Sequence, residues 1–308
     1  MKKKSIASLL SVLILLGIIG IANASTFGTT MLNGGIRLVN LQNNDGGWDW
    51  PLNDGNPAST SPKNTVGPIA MGLAQAYLST GDSDQRSALQ DAGSLLLGKT
   101  NNFSPSDGYL AVQLDSIFGG SAYSDHVLSN FYNPLATGTY DRNGLGTLYT
   151  TDSYVSSIDT SRANSGIGNL AAWDIGMGLY SAGLIGADTT AWKTGTKNEI
   201  DQLNGSGYYD VIGLAGALFG LASIGEEYDP TAGEHSAASN LKDLADILAG
   251  YQISSGGFAW NKNYVIPNDG NESVQETAYA ILALLAVDSD LYSTQIQSAA
   301  NWLMNVQL

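Results

Sequence analysis

A glutamine recurs in this chain at the end of helix-like segments, each time before a glycine-rich turn and an aromatic residue. The spacing is Leu-x3-Gln-x3-Gly-x-aromatic, and it occurs twice in full and once in part. The copies are Leu38-Gln42-Gly46-Trp48, Leu248-Gln252-Gly256-Phe258 and, where the chain stops, Trp302-Leu303-Gln307. A recurring local pattern of this kind indicates a repeat protein rather than one irregular domain.

The distance between copies sets the size of the repeat. Weaker copies end at Lys99 and Gln202, so the marked positions are separated by 57, 103, 50 and 55 residues. The gap of 103 residues holds two periods, which predicts six units of about 50 residues. A unit of this length with helical content is a helix pair that buries its apolar face only by stacking on its neighbours. Six such units suggest closure into a ring.

The glutamine spacing resembles the QW motif of the squalene and oxidosqualene cyclases, within the terpenoid-cyclase and protein-prenyltransferase superfamily. Gly35, Leu38, Gln42, Gly46 and Trp48 carry the resemblance, and residues 272–284 resemble an inner helix of that superfamily. The basic residue expected before the glycine is replaced by Gly34. The resemblance implies an all-α fold, an α/α toroid of six helix-hairpin repeats of which the last is incomplete or left open.

The reactions of that superfamily are not implied. Protonation-initiated cyclisation uses an Asp-x-Asp-Asp cluster, and Asp288-Ser289-Asp290 lacks its last acid. Prenyl transfer uses a zinc ion held in part by cysteine, and the chain has no cysteine. The resemblance therefore predicts a shape, and an atypical terpenoid cyclase is only a third alternative.

The first 24 residues have the order of a secretory signal peptide. Lys2, Lys3 and Lys4 precede an apolar run over residues 6–21, and Ala22-Asn23-Ala24 supplies small residues for cleavage. A membrane anchor is the alternative, but the run is short for a spanning helix. We therefore predict a secreted protein with one toroid domain over residues 25–308 and no membrane insertion after signal removal.

The amino-acid composition limits the classes of molecule that this protein is expected to bind. With 13 basic and 28 acidic side chains, the formal net charge is −15, which argues against nucleic acid as a partner. Without cysteine there are no disulfides, thiol nucleophiles or thiolate metal sites. We expect no cofactor and no bound metal, although the oxygen-rich segment over residues 45–54 leaves a calcium site as an alternative.

The repeat predicts alternating outer and inner helices, with two long connections over residues 43–63 and 134–165. A hairpin is expected around Asn143 and Gly144. The predicted outer helices are 28–43, 84–99, 121–133, 188–203, 235–251 and 289–307. The predicted inner helices are 64–80, 107–119, 167–185, 208–224 and 271–287. The inner helices are rich in glycine, which predicts close helix packing.

Acids near the starts of the inner helices are the candidate catalytic residues. Parallel inner helices would gather their N-terminal ends at one mouth of a central cavity, so Asp174, Asp210 and Glu276 could supply the carboxyl pair of a glycoside hydrolase. Capping and the helix dipole favour acids at such positions without any catalytic role. A polysaccharide lyase is a further alternative, with Tyr209 as base and Arg162 as the positive group.

Aromatic and amide side chains near the same ends are the candidate ligand-binding residues. Flat apolar rings can contact sugar rings or isoprenoid chains. The candidates are Trp50, Tyr109, Trp173, Tyr209, Gln275 and Tyr279. For Trp48 a structural role is favoured, because the aromatic of the motif packs beside the glutamine.

These patterns predict a secreted toroid that binds an extracellular polysaccharide in an acidic, aromatic-lined cavity and cleaves it if the three acids converge. The step from toroid to polysaccharide is an analogy at the level of the fold. A binding or scaffold protein without chemistry is the main alternative.

Overall fold

The structure is a computed structural model that describes residues 21–307 except 50, 51, 53–59, 63, 64 and 268. Twelve helices occur within these residues. They are α1 (Ile21–Asn40), α2 (Val66–Thr80), α3 (Ser83–Leu97), α4 (Ser106–Phe118), α5 (Ala122–Val127, a π-helical turn Leu128–Tyr132 and Asn133–Thr137), α6 (Thr151–Asn164), α7 (Leu170–Ile185), α8 (Thr190–Gln202), α9 (Asp210–Ile224), α10 (Leu241–Ala249), α11 (Val274–Asp288) and α12 (Ser293–Val306). The prediction of an all-α fold is confirmed.

Local sequence signals fix where the helices begin and end. Helix α2 ends at Gly81, which adopts the left-handed conformation (φ 69°) that glycine tolerates best. The next residue, Asp82, begins α3, because its carboxylate accepts hydrogen bonds from the backbone N–H groups of Asp84 and Gln85. Asn240 caps α10 in the same way through Asp243 N–H. The turn at Gly81 and Asp82 joins α2 to α3 directly, whereas Asn240 caps α10 after a longer connection from α9.

The segment over residues 134–165 differs in part from the prediction of a long loop. The hairpin around Asn143 and Gly144 is confirmed, with strands β1 (Tyr140–Asp141) and β2 (Leu148–Tyr149) paired antiparallel. Helix α6 follows it and was not predicted, so the expected count of eleven helices was wrong. Its start is fixed by a capping box between Thr150 and Ser153.

The five predicted inner helices pack against one another in chain order. Helix α2 contacts α4, α4 contacts α7, α7 contacts α9, and α9 contacts α11. Helix α9 is the most enclosed of them, with eleven of its fifteen residues buried. One hydrophobic core runs through these contacts from Trp48 to Ala299, so the described helices share a single core.

Glycine is used in α7 and α9 because their backbones nearly touch. A Cβ atom added at Gly176 would lie 2.2 Å from the carbonyl oxygen of Gly216, and one added at Gly220 would lie 2.3 Å from that of Gly176. No side chain fits at such distances. The prediction that glycine permits close helix approach is confirmed.

The two full copies of the glutamine motif make the same pair of hydrogen bonds. Gln42 Nε2 donates to the carbonyl of Gly46 (2.9 Å) and to that of Ala88 in α3 (2.8 Å). Gln252 Nε2 donates to Gly256 (2.9 Å) and to Gln295 in α12 (2.8 Å). Each amide therefore joins the turn after one outer helix to the next outer helix.

The aromatic residue of the motif completes the turn. Trp48 is fully buried, and its indole Nε1 donates to the carbonyl of Leu38, 2.8 Å away. Phe258 is also fully buried. The structural interpretation of Trp48 is confirmed.

The remaining copies behave differently. Gln307 Nε2 donates to Thr30 O in α1 (3.2 Å), so the last glutamine contacts the first helix. Gln202 donates only within its own helix, to Asn198 O (3.3 Å), and therefore joins no two helices. Lys99 forms a buried ion pair with Asp107 in α4 (2.5 Å) in place of the amide contact. Closure into a six-unit ring stays a prediction.

Across the residues that the structure describes, none of the helices has both the length and the apolar character needed to cross a bilayer.

We expect Gly176→Ala to lower the free energy of unfolding by about 2 kcal/mol or more, because a methyl group there forces α7 and α9 apart. Gly72→Ala is the matched control, since its added Cβ would meet only Leu38 Cδ1, at 3.9 Å. The control should gain up to about 1 kcal/mol from helix propensity. Urea unfolding measures both, and equal stabilities for the two variants would contradict the packing account.

We expect Gln252→Ala to destabilise the fold by about 1 to 3 kcal/mol, because two carbonyl groups lose their hydrogen-bond donor. Gln202→Ala removes the same side chain where it bonds only within its own exposed helix turn. That control should change stability by less than about 0.5 kcal/mol. Thermal and urea unfolding of both variants provide the measurement, and an unchanged Gln252→Ala protein would show that the contact does not hold the repeats together.

Candidate functional site

A cavity of about 570 Å³ lies beside the N-terminal halves of four inner helices, α2, α4, α7 and α11. Tyr109 of α4, Trp173 and Asp174 of α7, and Tyr279 of α11 form one side. The other side comes from the hairpin and α6, the segment predicted as a loop. Its charged and aromatic members are Arg142, Tyr154 and Arg162. The volume is within the usual range of ligand-binding pockets.

Three of the predicted ligand-binding aromatics are brought together in this cavity. The rings of Trp173 and Tyr279 are stacked, with centroids 3.7 Å apart and planes at 19°. Tyr109 is 4% exposed and hydrogen-bonds to Ser106. Burial raises the pKa of the Tyr109 phenol, so it remains a protonated hydrogen-bonding group at neutral pH. Because the stacked rings cover each other's inner faces, each has only its outer face for a ligand, and the Tyr109 hydroxyl adds a polar group.

Asp174 is the one predicted catalytic acid that lines the cavity. Its Oδ2 accepts a hydrogen bond from Arg162 Nε at 2.6 Å, and the two side chains are 24% and 35% exposed. Burial raises the pKa of the Asp174 carboxyl, while the positive charges of Arg162 and Arg142 oppose that rise. The ion pair with Arg162 gives this acid a structural partner.

Arg142 reaches the cavity from the hairpin. Its guanidinium carbon lies 5.5 Å from the centre of the Tyr154 ring, a cation–π arrangement. The backbone holds this position, because Asn102 N–H donates to Arg142 O (2.9 Å). Asp141 closes the hairpin turn by accepting from the N–H groups of Leu145 (3.1 Å) and Gly146 (2.7 Å). Arg142 thus has one contact through its backbone carbonyl and one through its guanidinium group.

The charge of the cavity differs from the prediction. Its lining carries the two arginines Arg142 and Arg162 against the single acid Asp174. The expected acidic character is therefore wrong for this cavity. The negative charge of the chain lies elsewhere, while the wall of the cavity is net positive.

Asp210 lies outside the cavity lining. It is fully buried at the start of α9, where its Oδ1 accepts a hydrogen bond from Gly205 N–H at 2.8 Å. Asn169 Nδ2 approaches the same oxygen at 3.4 Å. Burial raises the pKa of the Asp210 carboxyl to about 6, and Glu234 adds to the effect. The carboxylate therefore stabilises the loop before α9, whose start has no side-chain cap hydrogen bond.

Glu276 and Gln275 are also absent from the lining. Glu276 is 4% exposed in the first turn of α11, three residues after Ser273, with which its side chain hydrogen-bonds. Burial raises the pKa of the Glu276 carboxyl. Gln275 is exposed and hydrogen-bonds to Tyr279. The three predicted acids therefore do not converge on one cavity.

The last two predicted residues are Tyr209 and Trp50. Tyr209 immediately precedes α9 in a left-handed backbone conformation (φ 62°) and is not part of the lining. Trp50 lies outside the described residues.

Sequence reasoning missed Arg142 and Tyr154, which complete the cavity. Both lie in the segment predicted as a loop, so nothing placed them against α7. One feature of the sequence could have drawn attention to Arg142, because it is one of only 13 basic residues in a chain with 28 acids. No group of three or more His, Asp or Glu side chains among the described residues is arranged to hold a metal ion.

No family model, curated protein or solved structure matches the chain. The fold and site therefore define a class only by their own geometry: an all-α protein of successive helix hairpins with a cavity beside its inner helices. The resemblance to the terpenoid-cyclase superfamily stays a prediction from the glutamine motif.

We expect the free energy of unfolding to fall as the pH rises from about 4 to 6, because the Asp210 carboxyl loses its proton over this range. Its pKa is about 6 in the folded state against an ordinary 3.8, so the folded protein binds the proton more tightly than the unfolded chain. The contribution of protonated Asp210 to the free energy of unfolding is present below pH 4 and lost above pH 6. Two pKa units correspond to about 2 to 3 kcal/mol.

Asp210→Asn keeps an oxygen for Gly205 N–H and removes the titration. Urea unfolding between pH 4 and 7 should show a smaller fall for this variant than for the wild type. Asp152→Asn, at an exposed acid of α6, is the control and should follow the wild type. If Asp210→Asn also follows the wild type, burial of Asp210 does not govern this pH dependence.

Proposed function

We propose that the chain binds a segment of an extracellular polysaccharide in the cavity between α4, α7, α11 and the β1–β2 hairpin. The observation that carries this proposal is the combination of stacked Trp173 and Tyr279 rings with the fixed guanidinium of Arg142 in one cavity. The proposal includes export through residues 1–24 and a closed ring of helix hairpins, in which Gln307 joins α12 to α1.

The aromatic residues support a sugar as the ligand. A pyranose ring has an apolar C–H face that packs on an aromatic ring, while its hydroxyl groups need hydrogen-bond partners. Trp173 and Tyr279 supply the ring faces. The polar partners come from the same lining, which includes Asn102, Ser104, Ser106 and Ser161. A long isoprenoid chain would instead leave three charged side chains without solvent, at a high cost in free energy.

The arginines support a ligand that carries a carboxylate. Arg162 is already paired with Asp174, so its charge is largely neutralised. Arg142 lies against the Tyr154 ring and contributes the remaining positive charge of the cavity. Guanidinium groups bind carboxylates through two parallel hydrogen bonds. A polysaccharide that contains uronic acid therefore fits the cavity better than a neutral one.

Binding without cleavage fits the positions of the acids. A glycoside hydrolase of the usual kind needs two carboxyl groups about 5 to 9.5 Å apart across the scissile bond. In this chain Asp174 alone lines the cavity, while Asp210 supports a loop and Glu276 lies in the first turn of α11. Cleavage therefore has less support than binding.

Titration calorimetry with oligogalacturonate and with a neutral oligosaccharide of equal length tests the proposal. We expect the acidic ligand to bind more tightly, and its affinity to fall with added salt. Arg142→Gln should weaken acidic binding by about tenfold, and Trp173→Ala should weaken both ligands by a similar factor. Arg37→Gln, at an exposed arginine of α1, is the control and should bind as the wild type does.

Two results would contradict this proposal. One is equal affinity of the wild type and Arg142→Gln for the acidic ligand. The other is release of reducing ends or unsaturated products that stops in Asp174→Asn, which would make the cavity an active site rather than a binding site.

A further inference from the structure

Three aromatic rings stand exposed together on the loops that precede α9 and α11. Tyr208 is 64% exposed, Trp260 43% and Tyr264 44%. The Trp260 ring lies between the other two, with its centroid 6.3 Å from that of Tyr208 and 6.4 Å from that of Tyr264. The planes are tilted by 54° and 46°. We call these three residues the aromatic platform.

Hydrogen bonds between the two loops hold the platform rigid. Asn261 Nδ2 donates to Ser206 O (2.8 Å) and to Gly207 O (3.0 Å). Lys262 N–H donates to Gly205 O (3.1 Å). The platform rings therefore project from backbone that is tied together directly beneath them, so little conformational entropy remains to be lost when a ligand binds.

The surroundings of the platform are polar and locally neutral. Lys262 forms an ion pair with Glu234, which leaves no net charge from these two side chains. Asn204 and Asn263 lie on the same loops, and both are exposed. Amide groups both donate and accept hydrogen bonds, as hydroxyl-rich ligands require. The platform thus combines separate aromatic faces with neutral hydrogen-bonding groups.

We propose that Tyr208, Trp260 and Tyr264 form a surface site for a polysaccharide chain, distinct from the cavity. Each ring presents a face to one sugar unit, and the tilt between successive rings suits a chain that twists along its length. None of the three residues lines the cavity. The inference goes beyond the proposed function, because the platform would retain the protein on a polymer even if the cavity took a different ligand.

A protein partner fits the platform less well. The cores of protein interfaces are continuous and closely packed, with charge depleted. Here the patch is only three rings in mutual contact, and a charged pair lies beside them. An ionic partner is also disfavoured, because the adjacent lysine is already paired with glutamate. Sugar units, with apolar faces and polar edges, match the alternation of rings and amides.

Sedimentation with insoluble cellulose, chitin, xylan and starch tests the platform in the full chain. We expect the wild type to be retained by at least one polymer, with binding that persists in 1 M NaCl because no net charge is involved. The triple variant Tyr208→Ala, Trp260→Ala, Tyr264→Ala should bind that polymer about tenfold or more weakly. The conservative variant Trp260→Phe should keep most of the binding, because it keeps the ring.

Matched controls separate this inference from the proposed function. Leu78→Ala with Leu291→Ala removes exposed apolar side chains elsewhere and should leave retention unchanged. Arg142→Gln should weaken the soluble acidic ligand but not retention, and the triple variant should do the reverse. Retention of the triple variant equal to that of the wild type would overturn the inference. So would the absence of retention by every polymer, or self-association of the wild type that the triple variant loses.

Discussion

The glutamine amide is the contact on which the arrangement of the hairpins depends. One NH₂ group has two donors, and in both full copies of the motif these reach two carbonyl groups on different elements. The first is the turn that follows the outer helix, and the second is the next outer helix. A side chain with one donor could not satisfy both. In these two copies the amide therefore joins one outer helix to the next, whereas Gln202 bonds only within its own helix.

The inner helices pack directly against one another. Helices α7 and α9 approach so closely that Gly176 and Gly216 leave no room for a Cβ atom. This close approach fixes the position of the N-terminal half of α7, which carries Trp173 and Asp174. The cavity thus combines repeated and unique parts of the chain. Tyr109, Trp173 and Tyr279 come from inner helices, while Tyr154 comes from α6 and Arg142 from the hairpin.

The sequence predicted the repeated parts of this structure and missed the unique ones. The glutamine contact occurs in two copies and glycine-rich inner helices recur along the chain, so each copy supports the interpretation of the others. Helix α6 has no counterpart and buries only Tyr154, Val155 and Ile158, so its apolar pattern is weak. The predicted catalytic role of Asp210 was not found in the cavity. An acid at a helix start can belong to a catalytic site or accept a hydrogen bond from a nearby backbone N–H, and the sequence looks the same in both cases. Only the structure shows that the Asp210 carboxylate accepts a hydrogen bond from Gly205 N–H.

Closure of the repeat between α12 and α1 can be measured directly. The chain has no cysteine, so Thr30→Cys with Val306→Cys introduces two unique thiols and leaves Gln307 in place. With a short bifunctional thiol cross-linker, we expect a link within one molecule, identified by mass spectrometry as a peptide of α1 joined to one of α12. An open row of hairpins would give no such link, or links between molecules only, although each single-cysteine variant reacts fully.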